Sequence, residues 1–138
     1  MADNITSAER SRVMRCVRSV DTRPERMVRS IVHRLGYRFR LHVRELPGTP
    51  DMVLARLRTV IEVRGCFWHG HACGQCRIPA TRRGYWLDKI ERNRRRNART
   101  SRALRRAGWS VLVVWECETR QPQRLSARLA RLLARSLP

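Results

Sequence analysis

The sequence has few acidic residues to offset its positive charge. Its 138 residues include 31 Lys and Arg but only 11 Asp and Glu, which gives a formal net charge of +20. Phosphate contacts relieve such self-repulsion, so a polyanionic partner is expected, and nucleic acid is the leading candidate. Lysine itself is nearly missing, since Lys89 is the only one. The net charge does not depend on this use of arginine.

Long apolar runs and a signal-peptide pattern are also missing, which argues against membrane insertion and secretion. The five cysteines, an odd number, suit metal ligation in a reducing cytoplasm better than a disulfide framework. A chain of this length suits one domain with one core. We therefore expect a single domain over residues 1–138, with a basic arm or helix over about residues 1–20.

Hydrophobic periodicity predicts the order helix, helix, three strands, helix, strand, helix. Residues 22–25 have the form of a capping box with proline in the first turn, and Gly36 ends the helix that they open. Strands are predicted at residues 37–43, 52–55, 59–63 and 109–115, the last one covered on both faces, with helices at 85–107 and 121–137. The pattern indicates an α/β fold in which helices flank a mixed central sheet.

A loop after the third strand concentrates metal ligands. Cys66, His71 and Cys73 could supply three ligands of a tetrahedral zinc site. The fourth ligand would be either Cys76, which closes the site locally, or Cys117, which follows the fourth strand. The simpler alternative is a set of buried thiols that pack as small hydrophobic groups.

Two carboxylates occupy positions where neighbouring strands could bring them together. Asp51 opens the second strand, Glu62 lies in the third, and Arg64 follows on the same face as Glu62. Such a cluster can hold Mg²⁺ and activate a water molecule against a phosphodiester. Alternatively, Asp51 caps a turn, while Glu62 and Arg64 form an exposed ion pair. The capping box is a sufficient explanation for Glu25.

His69 and the aromatic residues also admit two interpretations. His69 could act as a general acid or base, or it could be an alternative zinc ligand. Phe67, Trp68 and Trp86 could pack in the core, or they could wedge between the bases of a weakly paired duplex.

Ordered motifs through nearly the whole chain resemble the very short patch repair endonucleases, bacterial enzymes that nick DNA beside T:G mismatches left by deamination of 5-methylcytosine. The motifs lie at residues 12–14, 21–25, 46–51, 65–69, 79–82, 86–93 and 108–117. The resemblance implies a restriction-endonuclease-like fold and Mg²⁺-dependent hydrolysis of one strand of mismatched double-stranded DNA. It also implies a monomer in the bacterial cytoplasm, associated with the nucleoid and able to meet general mismatch-repair proteins.

The resemblance assigns roles to individual residues. It makes Asp51 the carboxylate ligand of Mg²⁺ and His69 the acid or base group, and it places Glu25 near the metal-bound water, where it helps organise the site. The implied Zn²⁺ ligands are Cys66, His71, Cys73 and Cys117, which leaves Cys76 spare. The implied DNA contacts are Phe67, Trp68 and Trp86 beside the mismatched pair, Arg12 and Met14 in a segment that crosses the minor groove, and Lys89 and Asn93 on the basic helix.

The sequence departs from the family pattern at three positions. Arg64 stands where the family usually has an acidic residue or histidine, Asn97 where aspartate is common, and Glu62 where an apolar residue is usual. One hypothesis is that Glu62 supplies the carboxylate missing at position 64, while Arg64 binds the scissile phosphate. The alternatives are a related nicking nuclease with another specificity and a catalytically weakened, zinc-stabilised DNA-binding module.

Overall fold

The computed structural model describes residues 21–66 and 79–137. Its helices are α1 (Arg23–Arg34), α2 (Arg83–Arg106) and α3 (Pro122–Ala134), and its strands are β1 (Arg40–Leu41), β2 (Met52–Leu54), β3 (Thr59–Arg64) and β4 (Ser110–Trp115), with 3₁₀ turns at Ala55–Leu57 and Glu116–Arg120. The basic arm or helix expected before residue 21 lies outside these residues. In the described part of the chain, no helix is long and apolar enough to cross a membrane.

The four strands form one mixed sheet in the order β1-β2-β3-β4. β2 runs antiparallel to both β1 and β3, whereas β3 and β4 are parallel. Parallel neighbours cannot be joined by a tight hairpin and need a long crossover, which here includes α2. The predicted mixed α/β architecture is therefore confirmed, and it fits a nuclease fold.

Helix α1 begins and ends as its sequence predicts. The Thr22 hydroxyl oxygen accepts a hydrogen bond from the Glu25 amide at 3.3 Å, which satisfies one of the free N–H groups of the first turn. After the last turn, Gly36 adopts a φ of +91°, a conformation that costs glycine little. The Glu25 side chain differs from a standard capping box, because it accepts from the Asp21 amide (3.1 Å) and not from Thr22.

Each face of the sheet has its own hydrophobic core. Ile61 packs with Val28 of α1 and Leu129 of α3 on one face, whereas Val60 packs with Leu104 of α2 on the other. Successive strand residues point to opposite faces. The residues of β3 that follow Val60 at intervals of two, at positions 62 and 64, therefore lie on the α2 face.

The prediction of a strand over residues 37–43 is wrong except at Arg40 and Leu41. β1 ends there because β2 is only three residues long and because His42 turns the backbone to a φ of +48°. Leu41, expected to be buried, is 41% exposed. β4 lies where predicted, but it is an edge strand of the described sheet. Only its Val114 is fully buried, so the expected cover on both faces is incomplete.

Candidate active site

Asp51 lies immediately before β2, opposite Glu62 of β3. The antiparallel register pairs Met52 with Ile61, and one further step along both strands brings Asp51 to Glu62. The Asp51 carboxylate accepts a hydrogen bond from the Val63 amide at 2.7 Å, which fixes it against the end of β3. The structure therefore places these two residues opposite each other, close enough for the Glu62 charge to add to the pKa of Asp51.

The turn that precedes Asp51 packs closely against α2. Gly48 has a φ of +73°, and a side chain at this position would collide with Thr100 of α2. Only glycine allows both the backbone conformation and the close approach. Pro50 is fully buried behind the turn, so the backbone that carries Asp51 is held on both sides.

The surroundings of Asp51 disfavour its charged form. Burial raises the pKa of Asp51 to about 6; the hydrogen bond from Val63 opposes this shift, Glu25 adds to it, His42 opposes it and Glu62 adds to it. Desolvation and like charges both favour the protonated carboxyl group. A divalent cation would favour the ionised form instead, and a perturbed carboxyl pKa of this kind is typical of a functional site.

Glu25 approaches the same region from α1 and is buried. Its carboxylate accepts from the Asp21 amide and, at 3.3 Å, from the Arg29 guanidinium one helical turn later. Arg29 also donates to the Asp21 carboxylate at 2.6 Å, and this hydrogen bond is the main reason that the pKa of Asp21 is lowered. Glu25 therefore does more than cap a helix.

His42 completes this group of acceptors. Its Nε2 lies 3.2 Å from Nη2 of Arg29, and because arginine has only donors, this contact is a hydrogen bond when Nε2 is unprotonated and accepts. Oxygen or nitrogen acceptors of Asp21, Glu25 and His42 all lie within 4.8 Å of one another, an arrangement that could hold a metal ion. Nη2 of Arg29 contacts all three of these side chains. The His42 backbone also contacts Asp51, since its N–H donates to the Asp51 carbonyl at 3.3 Å.

Sequence reasoning missed Arg29 and His42. The spacing of Glu25 and Arg29, four residues apart on one helix, is a signal for an ion pair that could have been used. His42 gave no such signal, because it occupied a polar position in the predicted strand. Its approach to Asp51 depends on the left-handed backbone conformation at residue 42, which periodicity does not reveal.

Glu62 and Arg64 form a largely buried ion pair on the α2 face of β3. Their side chains are 12% and 17% exposed, and Nη2 of Arg64 donates to the Glu62 carboxylate at 2.7 Å. The same nitrogen lies 3.4 Å from the Ser101 hydroxyl of α2. Nε of Arg64 is buried without a hydrogen-bond partner within residues 21–66 and 79–137. The alternative of an exposed ion pair is therefore wrong, because α2 covers both residues.

Two of the four expected zinc ligands lie at the same edge of the sheet. Arg64 and Trp115 are the last paired residues of the parallel strands β3 and β4, and Cys66 and Cys117 each follow two residues later. Cys66 is buried and Cys117 is half-buried. His71 and Cys73, and also the spare Cys76, lie outside the described residues.

Trp86, expected either in the core or in contact with DNA, is 7% exposed in the first turn of α2. Its neighbour Tyr85 is 40% exposed, and the two rings meet edge to face with centroids 5.0 Å apart. Lys89 and Asn93 are half-buried further along the same helix. The remaining expected DNA contacts and the expected acid or base group lie outside the described residues: Arg12, Met14, Phe67, Trp68 and His69.

Known proteins are similar to this chain over most of its length. The family model described as DNA mismatch endonuclease Vsr matches residues 2–75. The chain is 50% identical over 133 residues to the type II nicking enzyme V.XorIIP of Xanthomonas oryzae pv. oryzae, a match that covers 96% of this chain and 98% of that protein. It is 42% identical over 126 residues to the DNA mismatch endonuclease Vsr of Escherichia coli, covering 91% and 81% respectively. A third relative, V.NmeAIP of Neisseria meningitidis, is 38% identical over 133 residues, covering 96% and 95%.

Together with the carboxylates at the sheet edge, these relatives define the class of protein as a DNA endonuclease, a hydrolase that acts on the DNA backbone. More particularly, the chain belongs to the DNA mismatch endonuclease Vsr family. The resemblance seen in the sequence motifs is confirmed.

Proposed function

We propose that this endonuclease nicks one strand of duplex DNA beside a T:G mismatch left by deamination of 5-methylcytosine, leaving a 5′-phosphate and a 3′-hydroxyl. The observation that carries the proposal is the Asp51 carboxyl group, which the strand register places opposite Glu62 and whose pKa is raised to about 6, chiefly by burial and in smaller part by the charges of Glu25 and Glu62. Perturbed carboxyl pKa values cluster at functional sites, where the chemistry needs them. The strongly basic chain supplies the attraction for DNA.

The donor chemistry fits Mg²⁺, because Asp51 and Glu62 supply hard carboxylate oxygens from neighbouring backbone positions of the sheet. Asp51 would be the principal ligand, with Glu62 as the second carboxylate. When bound, Mg²⁺ would lower the pKa of a coordinated water and offset charge on the phosphate. The chain itself holds Asp51 against the Val63 amide, and Glu25 would orient the water through its free lone pairs.

Arg64 would stabilise the phosphate in this proposal. Its Nη2 is already engaged by Glu62 and lies near Ser101, so the guanidinium is held in place before substrate arrives. A preorganised positive charge is most effective where negative charge develops during the reaction. The two residues that depart from the family pattern, at positions 62 and 64, therefore form one ion pair and would act together.

The remaining assignments are also proposals, and several of the residues concerned lie outside the described ranges. His69 would transfer a proton, and Phe67, Trp68 and Trp86 would probe the mismatched step, with Arg12, Met14, Lys89 and Asn93 contacting DNA. Cys66 and Cys117 would join His71 and Cys73 around a structural Zn²⁺. The chain would act as a single-domain monomer in the bacterial cytoplasm, in contact with the nucleoid and with general mismatch-repair proteins.

The test is a nicking assay on a T:G duplex with and without Mg²⁺, comparing the wild type with Asp51→Asn. Wild-type nicking that needs the cation and is lost in Asp51→Asn, while DNA binding is retained, is the expected result. Mg²⁺-independent nicking, or full activity of Asp51→Asn, would disprove the assigned chemistry. A control duplex with only normal base pairs measures mismatch selectivity.

A second candidate function is nicking at another mismatch or site. It is favoured by the names of two relatives, which are type II nicking enzymes that match over 96% of this chain. A panel of mismatches in several sequence contexts separates the two candidates, because a T:G-specific enzyme cuts one member of the panel at least tenfold faster than the others.

A further inference from the structure

The outer surface of α2 carries an uninterrupted positive charge. Residues 92–115 contain eight arginines and no Asp or Glu. All eight belong to α2 and are exposed. The site described above uses none of them.

Six of these arginines lie on one side of the helix. Their positions repeat with the helical period and fall within an arc of about 120°, at 100° per residue. We call them the arginine stripe: Arg92, Arg95, Arg96, Arg99, Arg102 and Arg106. The buried residues of α2, among them Ile90 and Leu104, lie on the opposite side. At a rise of about 1.5 Å per residue, the stripe is about 21 Å long.

Little within the protein offsets this charge. Among the residues that the structure describes, only Arg95 of the stripe has a carboxylate partner, Glu91 at 3.3 Å. That pair is exposed, and exposed pairs contribute little to stability. Arg96 donates to the Asn93 side chain at 3.2 Å, which leaves its charge in place.

The stripe faces away from the carboxylates. Ser101, on the buried side of α2, is the residue that approaches Arg64 and thereby the candidate active site. A helix with its side chains is about 10–12 Å across. The body of the helix therefore separates the stripe from the carboxylates of the candidate active site.

We propose that the arginine stripe is a second DNA-binding surface, which holds non-target duplex by its phosphates without reading its sequence. The phosphates of one strand follow one another at about 3.4 Å along the duplex axis, so about six fit the length of the stripe. Guanidinium groups bind phosphate oxygens through paired hydrogen bonds. Binding of this kind would keep the enzyme on DNA while it searches for a site to cut.

The test compares two variants in which the same amount of charge is removed. The stripe variant carries Arg92→Gln, Arg99→Gln, Arg102→Gln and Arg106→Gln, since glutamine preserves helix propensity. The control variant removes four exposed arginines from α1 and α3 and the turn that follows α3, on the other face of the sheet: Arg34→Gln, Arg124→Gln, Arg131→Gln and Arg135→Gln. Binding of each full-length protein to a fully paired duplex is measured without Mg²⁺ at increasing KCl concentrations.

The stripe variant is expected to bind the paired duplex more weakly. The slope of the logarithm of its binding constant against the logarithm of the KCl concentration should be shallower by about 3.6, or about 0.9 for each phosphate that arginine no longer neutralises. The control slope should change by less than about 1. Equal reductions in both variants would overturn the proposal, because net charge alone would then explain binding. An unchanged slope in the stripe variant would also overturn the proposal. Binding of the same variants to phosphatidylglycerol vesicles tests whether the stripe serves a membrane surface instead. Weaker vesicle binding of the stripe variant, with unchanged DNA binding, would likewise overturn the proposal.

A second readout separates this surface from the nuclease. With saturating enzyme and a short T:G duplex, the stripe variant should nick at the wild-type rate, since the reacting groups are untouched. A tenfold lower rate would place the stripe in the active site and overturn the proposal. The binding assay contains no cleavage step, so its outcome does not depend on the proposed mismatch activity.

Discussion

Replacement of Asp51 by asparagine should stabilise the fold while abolishing nicking. The pKa of Asp51 is raised from its ordinary value of 3.8 to about 6, chiefly by burial. The folded state thus binds this proton more tightly than the unfolded chain. The resulting stability is fully present below pH 3.8 and is lost as the pH rises through about 6.

The difference of about 2.2 between these pKa values corresponds to about 3 kcal/mol at pH 8, at about 1.36 kcal/mol per pKa unit. At pH 5 the ionised fraction is smaller, and the same linkage gives about 1.6 kcal/mol. Asparagine is neutral at both pH values, and its side-chain oxygen can still accept from the Val63 amide. Asp51→Asn should therefore raise the free energy of unfolding by up to about 3 kcal/mol at pH 8 and about half as much at pH 5.

The measurement is urea unfolding of both proteins at the two pH values, with divalent cations excluded. Asp88→Asn, on the exposed surface of α2, is the matched control for the removal of one negative charge and should change stability by less than about 0.5 kcal/mol. Equal stabilities of Asp51→Asn and wild type at pH 8, or a gain that does not vary with pH, would refute the reasoning. Added Mg²⁺ should stabilise only the wild type, by about 2.7 kcal/mol at one hundred times its Kd.

Four further predictions follow from other parts of the molecule. Arg29→Gln should lower the free energy of unfolding by about 2 kcal/mol in urea, because it removes a partly buried charge-assisted hydrogen bond and leaves the Glu25 carboxylate without its cationic partner; an unchanged value would show that Arg29 is dispensable. Glu62→Gln and Arg64→Gln should each slow nicking at least tenfold in single-turnover assays, and full activity of Glu62→Gln would exclude it as the second carboxylate. Leu129→Ala should cost about 2–5 kcal/mol in thermal or urea unfolding, whereas the exposed control Leu87→Ala should cost far less. Removal of zinc with a chelator should release one Zn²⁺ per chain and lower the Tm, and a chain without bound zinc would contradict the proposed site.

The elements with strong local signals were predictable from the sequence. α1 has a capping threonine and a terminal glycine, and α2 and β4 are separated by Gly108, whose φ is +92°. The order of strands around a long basic helix then required a crossover between parallel neighbours. Local chemistry was sufficient for these features.

Tertiary geometry determined the features that the sequence did not reveal. β1 is short because β2 offers few partners, and Leu41 is exposed as a result. His42 reaches the carboxylates through a left-handed backbone conformation that its polar position in an alternating pattern could not indicate. By contrast, the approach of Asp51 to Glu62 follows from strand alternation and register, and the same reasoning placed Arg64 beside Glu62.

The distribution of charge explains how a protein of net charge +20 can keep several carboxylates close together. Arg29 and Arg64 each hold a carboxylate with a guanidinium nitrogen, at 3.3 Å from Glu25 and 2.7 Å from Glu62. Asp51 instead accepts a neutral backbone N–H, and its pKa is the one raised to about 6. A mobile cation therefore gains most by binding beside Asp51, because the other two carboxylates already have tethered counterions. This asymmetry favours Asp51 over Glu25 and Glu62 as the principal metal ligand.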